Sequence, residues 1–386
     1  MIKGSKSLRT LSYEDKPISI FELSLSNLES VLVEIGQPKY RARQIWRAVY
    51  AEGRSSFDEM TNVSKQLKSV LPKVIAIDLL VPKLYSTSKD RSTDKALFPL
   101  SDGELIETVL MRYSADGHRR RRKTVCISTQ AGCALGCTFC ATGQQGFSRN
   151  LSVGEIVKQV LYMEKVARRE DMLDIENGNR TIGELQGITN VVFMGMGEPL
   201  ANYENTLSAV KILNDPKGIN IGARHITIST VGLVPQILKL AKEKIQINLA
   251  ISLHAPDDIT RNKTMPINKR YPIEQLVDAC KKYVEITGRK IFFEYVLLKG
   301  QNDSSEHAKK LARLLSKIMC QVNLIPVNPT NQSSYQRTDK LTVEAFKDNL
   351  KTMGIPSTVR VEKGIDINAG CGQLRARVLN KSNAVH

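Results

Sequence analysis

The chain has 386 residues, enough to bury a large core and to hold two or three domains, and its charged and apolar contents are those of a globular protein. Lys and Arg outnumber Asp and Glu by 56 to 39, a net charge of +17 that points to a polyanionic partner, nucleic acid first. Nothing approaches the roughly 18 apolar residues of a spanning helix or the apolar core of a secretory signal, and seven cysteines, an odd number mostly clustered, fit a reducing compartment; a cytoplasmic protein with no membrane partner is expected.

Residues 1–75 read as a small helical domain. Ser26 and Glu29 have capping-box spacing, Leu28, Val31, Leu32 and Ile35 follow at helical intervals, and Gly36 and Pro38 stop the helix. A second helix over 40–50 carries Arg41, Arg43 and Arg47, with Lys39 beside it, against Ile45, Trp46 and Val49, so one face packs and the other is basic. Residues 76–123 change to short β-like runs such as 107–112 and read as a connecting β-hairpin region. It ends in His118, Arg119, Arg120, Arg121, Arg122 and Lys123, where a phosphate backbone could be held; a solvated turn would carry the same charges.

The next segment holds Cys126 and then Cys133, Cys137 and Cys140 in CxxxCxxC spacing. A [4Fe-4S] cluster has four irons, so three thiolates leave one iron open, and an open iron can chelate the amino and carboxylate groups of S-adenosylmethionine. A three-cysteine zinc site or unrelated buried thiols are the plain alternatives, but structural zinc wants a fourth Cys or His, and no His lies between Cys126 and Cys140. From residue 124 apolar runs at 124–128, 190–194, 225–229, 248–253, 291–297 and 321–326 alternate with helical stretches, among them 156–166, capped by Ser152 and Glu155, and 273–287. Six strand–helix units predict an α/β fold with a parallel sheet curled into a partial (βα)6 barrel over 124–350, followed by a C-terminal segment, 351–386.

Barrel ligands sit beyond the C-terminal strand ends, and polar residues stand there in turn: Gly197 and Glu198 in GMGEPL, Ser229, then Ser252, Leu253 and His254, then Asn328. GxGxxG is absent, so this is not a dinucleotide fingerprint. Each position alone is a common turn residue; together they outline a pocket for S-adenosylmethionine, with Glu198 placed to grip its ammonium. Cys280 has core spacing, and Cys320, His118, His225, His307 and His386 carry no chemical signal.

These motifs, with YRARQIW at 40–46, ITISTVGLVP at 226–235, LAISLHAP at 249–256, MPIN at 265–268, VNLIPVNP at 322–329 and GIDINAGCGQLR at 364–375, resemble the RlmN/Cfr family of radical-SAM RNA methyltransferases over nearly the whole chain. The resemblance implies a radical-SAM barrel with a [4Fe-4S] cluster on Cys133, Cys137 and Cys140 and two S-adenosylmethionine molecules per turnover. It implies that Cys371 accepts a methyl group and carries its carbon to an adenine, that Glu107 is the base removing the ring proton, and that Cys126 resolves the covalent adduct by a disulfide with Cys371. Its substrates would be 23S rRNA and tRNA beside the anticodon, its electron donor flavodoxin-like, its state monomeric. Pro199 and Pro326 match the RlmN pattern, which methylates adenine C2, rather than the Cfr pattern with GEAL and LIRYNP, which methylates C8 and confers antibiotic resistance. The chain departs from the family pattern at Gly370, where alanine is usual, and at Lys363, where arginine is common; a second glycine beside Cys371 would loosen its loop. Two readings outside this class are a cluster-bearing RNA-binding protein without catalysis, which needs neither Cys126 nor Cys371, and a radical-SAM activase of another protein, which needs no RNA affinity.

Overall fold

The computed structural model describes residues 16–115, 120–328 and 334–374. His118, Arg119, Arg375, His386 and the ends of the expected first and last domains lie outside them. The chain divides into two compact units: residues up to Leu79 with Lys217–Ile219, and the remainder. Among the described residues no helix is long and apolar enough to cross a membrane.

In the first unit, helices Leu25–Glu34 and Tyr40–Tyr50 bury Leu28, Leu32, Ile45, Trp46 and Val49. The first helix begins earlier than Ser26 predicts. Ser24 is extended and its hydroxyl accepts the Asn27 N–H, so Ser24 is the cap, while Glu29 turns to an ion pair with Arg43 at 3.4 Å. Arg43 and Arg47 stay exposed on the second helix, opposite its apolar face. A short parallel pair, Ile18–Ser19 with Ile75–Ala76, closes the unit.

The second unit is built on one ten-stranded sheet, numbered here along the chain within it: β1 Leu84–Thr87, β2 Thr93–Pro99, β3 Leu105–Tyr113, β4 Arg122–Cys126, β5 Asn190–Phe193, β6 Ile226–Thr230, β7 Asn248–Ser252, β8 Ile291–Leu297, β9 Cys320–Pro326 and β10 Ser357–Val359. Spatial order equals chain order, with β4 to β10 parallel and β1 to β4 antiparallel. All six expected strands are present. β10 is a seventh parallel strand inside the expected C-terminal segment; at three residues long it is too short to register as an apolar run. The hairpins of the expected connecting region are the antiparallel wing of the same sheet, because β3 pairs with β4 from Val109 opposite Cys126 to Tyr113 opposite Arg122. Ser152 and Glu155 form the capping box of a helix running to Glu176, and helix Ile273–Thr287 buries Cys280.

The described part of the basic run divides by partner. Lys123 is drawn inward, donating to the Ala167 carbonyl at 2.6 Å and to buried Asp171 at 2.8 Å, so it does not offer a free phosphate contact. Arg120, Arg121 and Arg122 remain exposed, Arg122 stacked on Tyr113.

Candidate active site

Side chains from β5 to β9 and the loops beyond them line one open cavity, about 1060 Å³ with the solvent at its mouth included. That is what curling of the sheet accomplishes: residues as far apart along the chain as Phe193 and Ile325 come to face one volume.

One wall is the cysteine loop. A two-stranded ribbon, Gln130–Gly132 with Phe147–Asn150, presents it, and the Cys133 N–H donates to the Gly146 carbonyl at 2.7 Å. Cys133, Cys137 and Cys140 all line the cavity. Among the described residues no three His, Cys, Asp or Glu side chains converge as ligands of a single metal ion do. Each thiolate of a cuboidal cluster takes a different iron, so thiols spread around a common volume fit that group. Burial pushes the Cys133 thiol up to about 12 and the Cys137 thiol higher still; coordination reverses this, because a bound cation deprotonates a thiol outright.

The strand ends form the second wall. GMGEPL folds back onto the first barrel strand: Gly195 N–H donates to the Ile127 carbonyl at 3.0 Å, and a β-carbon at 195 would stand 2.6 Å from that carbonyl, which only glycine avoids. This delivers Gly197 and Glu198 to the cavity. Glu198 is 2% exposed, and burial raises its carboxyl to about 7 although the N–H groups of Leu200 and Val231 donate to it at 3.0 and 2.9 Å. Ser229, Ser252, His254 and Asn328 also line the cavity. His254 adopts φ +56°, Phe139 meets its ring edge-on at 4.9 Å, and its Nδ1 accepts the Val296 N–H at 3.0 Å, which puts the proton of the neutral ring on Nε2. Burial, helped by the Arg261 charge, lowers its pKa to about 3. Leu253 is the exception. It is fully buried and off the cavity lining, its N–H donating to the Glu294 carbonyl and its carbonyl accepting from Arg261.

The third wall is the C-terminal segment. Ala141 N–H donates to the Gly372 carbonyl at 2.8 Å and the Thr142 hydroxyl to the Leu374 carbonyl at 2.7 Å, which seats Cys371 over the cysteine loop. Cys371 is solvent-accessible at the cavity yet enclosed by protein, and that enclosure, with Glu294 and Cys140 nearby, raises its thiol to about 11 against the pull of Arg360. Gly370 is packed against the ends of two side chains, which an alanine would have to turn aside. A β-carbon there would meet the Gln373 Oε1 at 2.7 Å and the Asn328 Nδ2 at 2.8 Å, and Asn328 needs that space to donate to the Cys371 carbonyl at 3.2 Å.

Cys126 and Glu107 lie beside the cavity, not in its lining. Val109 is opposite Cys126, so alternation puts Glu107 and Cys126 on the same sheet face. Cys126 packs with Ala369 and Leu374, which flank Cys371; burial foremost, with Cys371 nearby, lifts the Cys126 thiol to about 12. Glu107 is buried and ion-paired with Lys95 at 2.9 Å, and Lys95 also reaches the Asn368 carbonyl at 3.2 Å. All seven cysteines are free thiols.

Three buried residues of the site carry no signal in the sequence. Arg261 donates to the carbonyls of Val231, Ser252 and Leu253 and to the Asn268 Oδ1, tying the ends of β6 and β7 to MPIN. Asn302 donates to the carbonyls of His254 and Val296 and accepts the Leu298 N–H, holding His254 in its turn. Glu294, in the middle of β8, lines the cavity.

Comparison with known proteins gives a consistent answer. Residues 127–314 match the model of the radical SAM superfamily, and residues 18–77 that of the ribosomal RNA large subunit methyltransferase N-terminal domain. A protein of Alkaliphilus oremlandii named "Probable dual-specificity RNA methyltransferase RlmN" is 46% identical over 94% of this chain and 98% of its own length; one of the same name from Bacillus velezensis is 45% identical over 96% and 95%. The crystal structure of a radical SAM methyltransferase from Sphaerobacter thermophilus superposes with a TM-score of 0.85, at 46% identity over 94% of this chain and all of that one.

Proposed function

Because this chain belongs to the RlmN-type radical-SAM methyltransferases, we propose that it methylates C2 of a specific adenosine in 23S rRNA and of an adenosine beside the anticodon of tRNA. Members of the family use a [4Fe-4S] cluster and S-adenosylmethionine, two molecules per turnover, and the three cavity cysteines are the residues here that would hold the cluster. When bound, the cluster and its cofactor supply a methyl group and a one-electron means of activating it.

An adenine C2 carbon is not nucleophilic enough to take a methyl group directly from a sulfonium, so the protein must carry the carbon itself. Cys371 accepts it as a thioether, beside the cysteine loop and over the barrel mouth. Once that carbon is joined to the ring, Glu107 takes the ring proton. It must first leave Lys95, its partner in the resting protein. Cys126, as thiolate, then attacks the Cys371 sulfur, forming the disulfide as the sulfur–carbon bond breaks; that bond's electron pair stays on the carbon, which takes up a proton to become the methyl group, and the methylated base departs. Glu198, Ser229, Ser252, His254 and Asn328 orient the cofactor. The observation that supports this reading best is the meeting of Cys126 and Cys371, 245 residues apart, beside the cavity lined by the CxxxCxxC loop. The exposed basic face of helix Tyr40–Tyr50 and Arg120 to Arg122 supply phosphate contacts. Catalysis takes place in the cytoplasm, by a monomer fed electrons by a flavodoxin-like partner.

The test is anaerobic: reconstitute the cluster, add cofactor, reductant and unmodified large-subunit RNA or tRNA, and identify methylated nucleosides by mass spectrometry. 2-Methyladenosine establishes the assignment and 8-methyladenosine moves it to the Cfr type. Cofactor cleavage with no methylated adenosine reopens the activase reading.

A further inference from the structure

Glu294 stands on β8 with 4% of its surface exposed, and its two carboxylate oxygens have unequal company. Oε1 accepts from the Asn323 amide at 2.8 Å and from the Arg360 guanidinium at 2.9 Å, and Asn323 is itself fixed by the Thr358 hydroxyl at 2.8 Å. Oε2 has no hydrogen-bond partner. Buried carboxylate oxygens are ordinarily paired, since an ionised carboxylate accepts at both. Here one is held by two side chains, from β9 and the residue after β10, and the other is left over in the wall of the cavity, beside Cys371. It is buried, so a ligand's donor meets it only after a small turn of the carboxylate towards the cavity that Glu294 lines.

A second acceptor is left the same way on the same wall: Asn328 Oδ1 is buried and unpartnered, while its amide nitrogen donates to the Cys371 carbonyl. Two acceptors without donors require a ligand face that brings N–H or O–H groups. A carboxylate repels phosphate, so that face is the nucleoside part of the ligand. We propose that Glu294 Oε2 accepts a hydrogen bond from an adenosine, through its ring amine or a ribose hydroxyl, and that Glu294 is a specificity-determining residue of this site. This rests on the reading of the cavity as the site where an adenosyl cofactor and a target adenosine meet. Both are adenosines, and the experiment separates them.

The variant is Glu294→Gln in the cluster-loaded protein. It keeps an oxygen for Asn323 and Arg360 and places an NH2 donor where Oε2 was, so packing is retained while the acceptor is inverted. Glu294→Asp, which keeps the charge but withdraws it by one methylene, is the second variant. The readouts are calorimetric affinity for S-adenosylhomocysteine without RNA, and competition between RNA carrying adenosine and RNA carrying purine riboside, which lacks the amine, at the target position. An affinity for S-adenosylhomocysteine weakened about ten- to hundredfold in both variants assigns the bond to the cofactor's adenosine. Unchanged cofactor affinity with loss of the wild-type preference for adenosine over purine riboside assigns it to the RNA. If both readouts in Glu294→Gln match those of the wild type, the proposal is overturned. Wild-type protein that binds no S-adenosylhomocysteine sinks the underlying reading of the cavity instead.

Discussion

Asn302→Ala removes three hydrogen bonds at once from the centre of the site. The side chain is 1% exposed; its amide donates at 2.8 Å to the His254 carbonyl and at 2.7 Å to the Val296 carbonyl, and its oxygen accepts the Leu298 N–H at 2.7 Å. Each buried group left unpaired costs about 1–3 kcal/mol. Allowing for some relaxation, the loss is roughly 3–6 kcal/mol, a large share of the 5–15 kcal/mol typical of a folded protein. The damage extends beyond stability, because His254 at φ +56° is in a region that a non-glycine residue occupies only when its surroundings hold it there. Release of the His254 carbonyl lets the turn relax and withdraws the ring from the cavity. Urea unfolding followed by far-UV circular dichroism is the stability assay; the single tryptophan, Trp46, is in the other unit and its fluorescence would report there. Asn302→Asp makes the diagnostic comparison. It still accepts from Leu298 but turns oxygen against two carbonyls, so it should be at least as damaging as alanine. An alanine variant within about 1 kcal/mol of wild type, with cofactor affinity unchanged, would refute the claim that Asn302 holds His254 in place.

Glu198 is raised to about 7 in the folded protein, against an ordinary value of 4.5, so the stability it contributes is present below 4.5 and lost as pH rises through 7. Gripping an ammonium requires the ionised form, so calorimetry between pH 6 and 8 should find cofactor affinity rising to about pH 7 and then levelling, with the slope abolished in Glu198→Gln. His254 acts oppositely. With its folded value near 3 and an unfolded value of about 6.5, it costs stability as pH falls from 6.5 towards 3, by at most about 1.4 kcal/mol per unit, and acid unfolding of His254→Gln should show a shallower dependence in that window. If Cys126 is the resolving thiol proposed, Cys126→Ala leaves an adduct between Cys371 and RNA unresolved, so a denaturing gel of the reaction should show protein-linked RNA that Cys371→Ala does not form, while both variants bind RNA as wild type does. Gly370→Ala forces Asn328 or Gln373 aside and should weaken the hold on the Cys371 carbonyl by about 1 kcal/mol, read as faster hydrogen exchange around Cys371; unchanged exchange would show that the loop has room for a methyl group.

The sequence by itself determined whatever is local or periodic. Buried parallel strands are continuous apolar runs, which is why six barrel strands could be placed, and the cysteine triplet lies within eight residues, so its CxxxCxxC spacing is legible without the fold. Glycines forced by close approach, as at Gly195, mark the loops that carry Glu198 and its neighbours. The caps were legible to within a turn: Ser152 was read correctly, whereas Ser24 and Ser26 offer equivalent hydroxyls and only the extended backbone at Ser24 decides between them. What the tertiary structure alone decided is which polar groups are paired. Lys123 reads as part of a phosphate-binding run until Asp171 is seen beneath it, and Leu253 reads as a cavity residue until the turn at His254 rotates it away. Glu294, Arg261 and Asn302 give no pattern at all, because their partners are strand-end carbonyls and side chains brought near only by the curl of the sheet. A hydrogen bond between residues 29 or 66 positions apart leaves no period in the chain, and the open oxygen of Glu294 is a property of a filled neighbourhood, which exists only after folding.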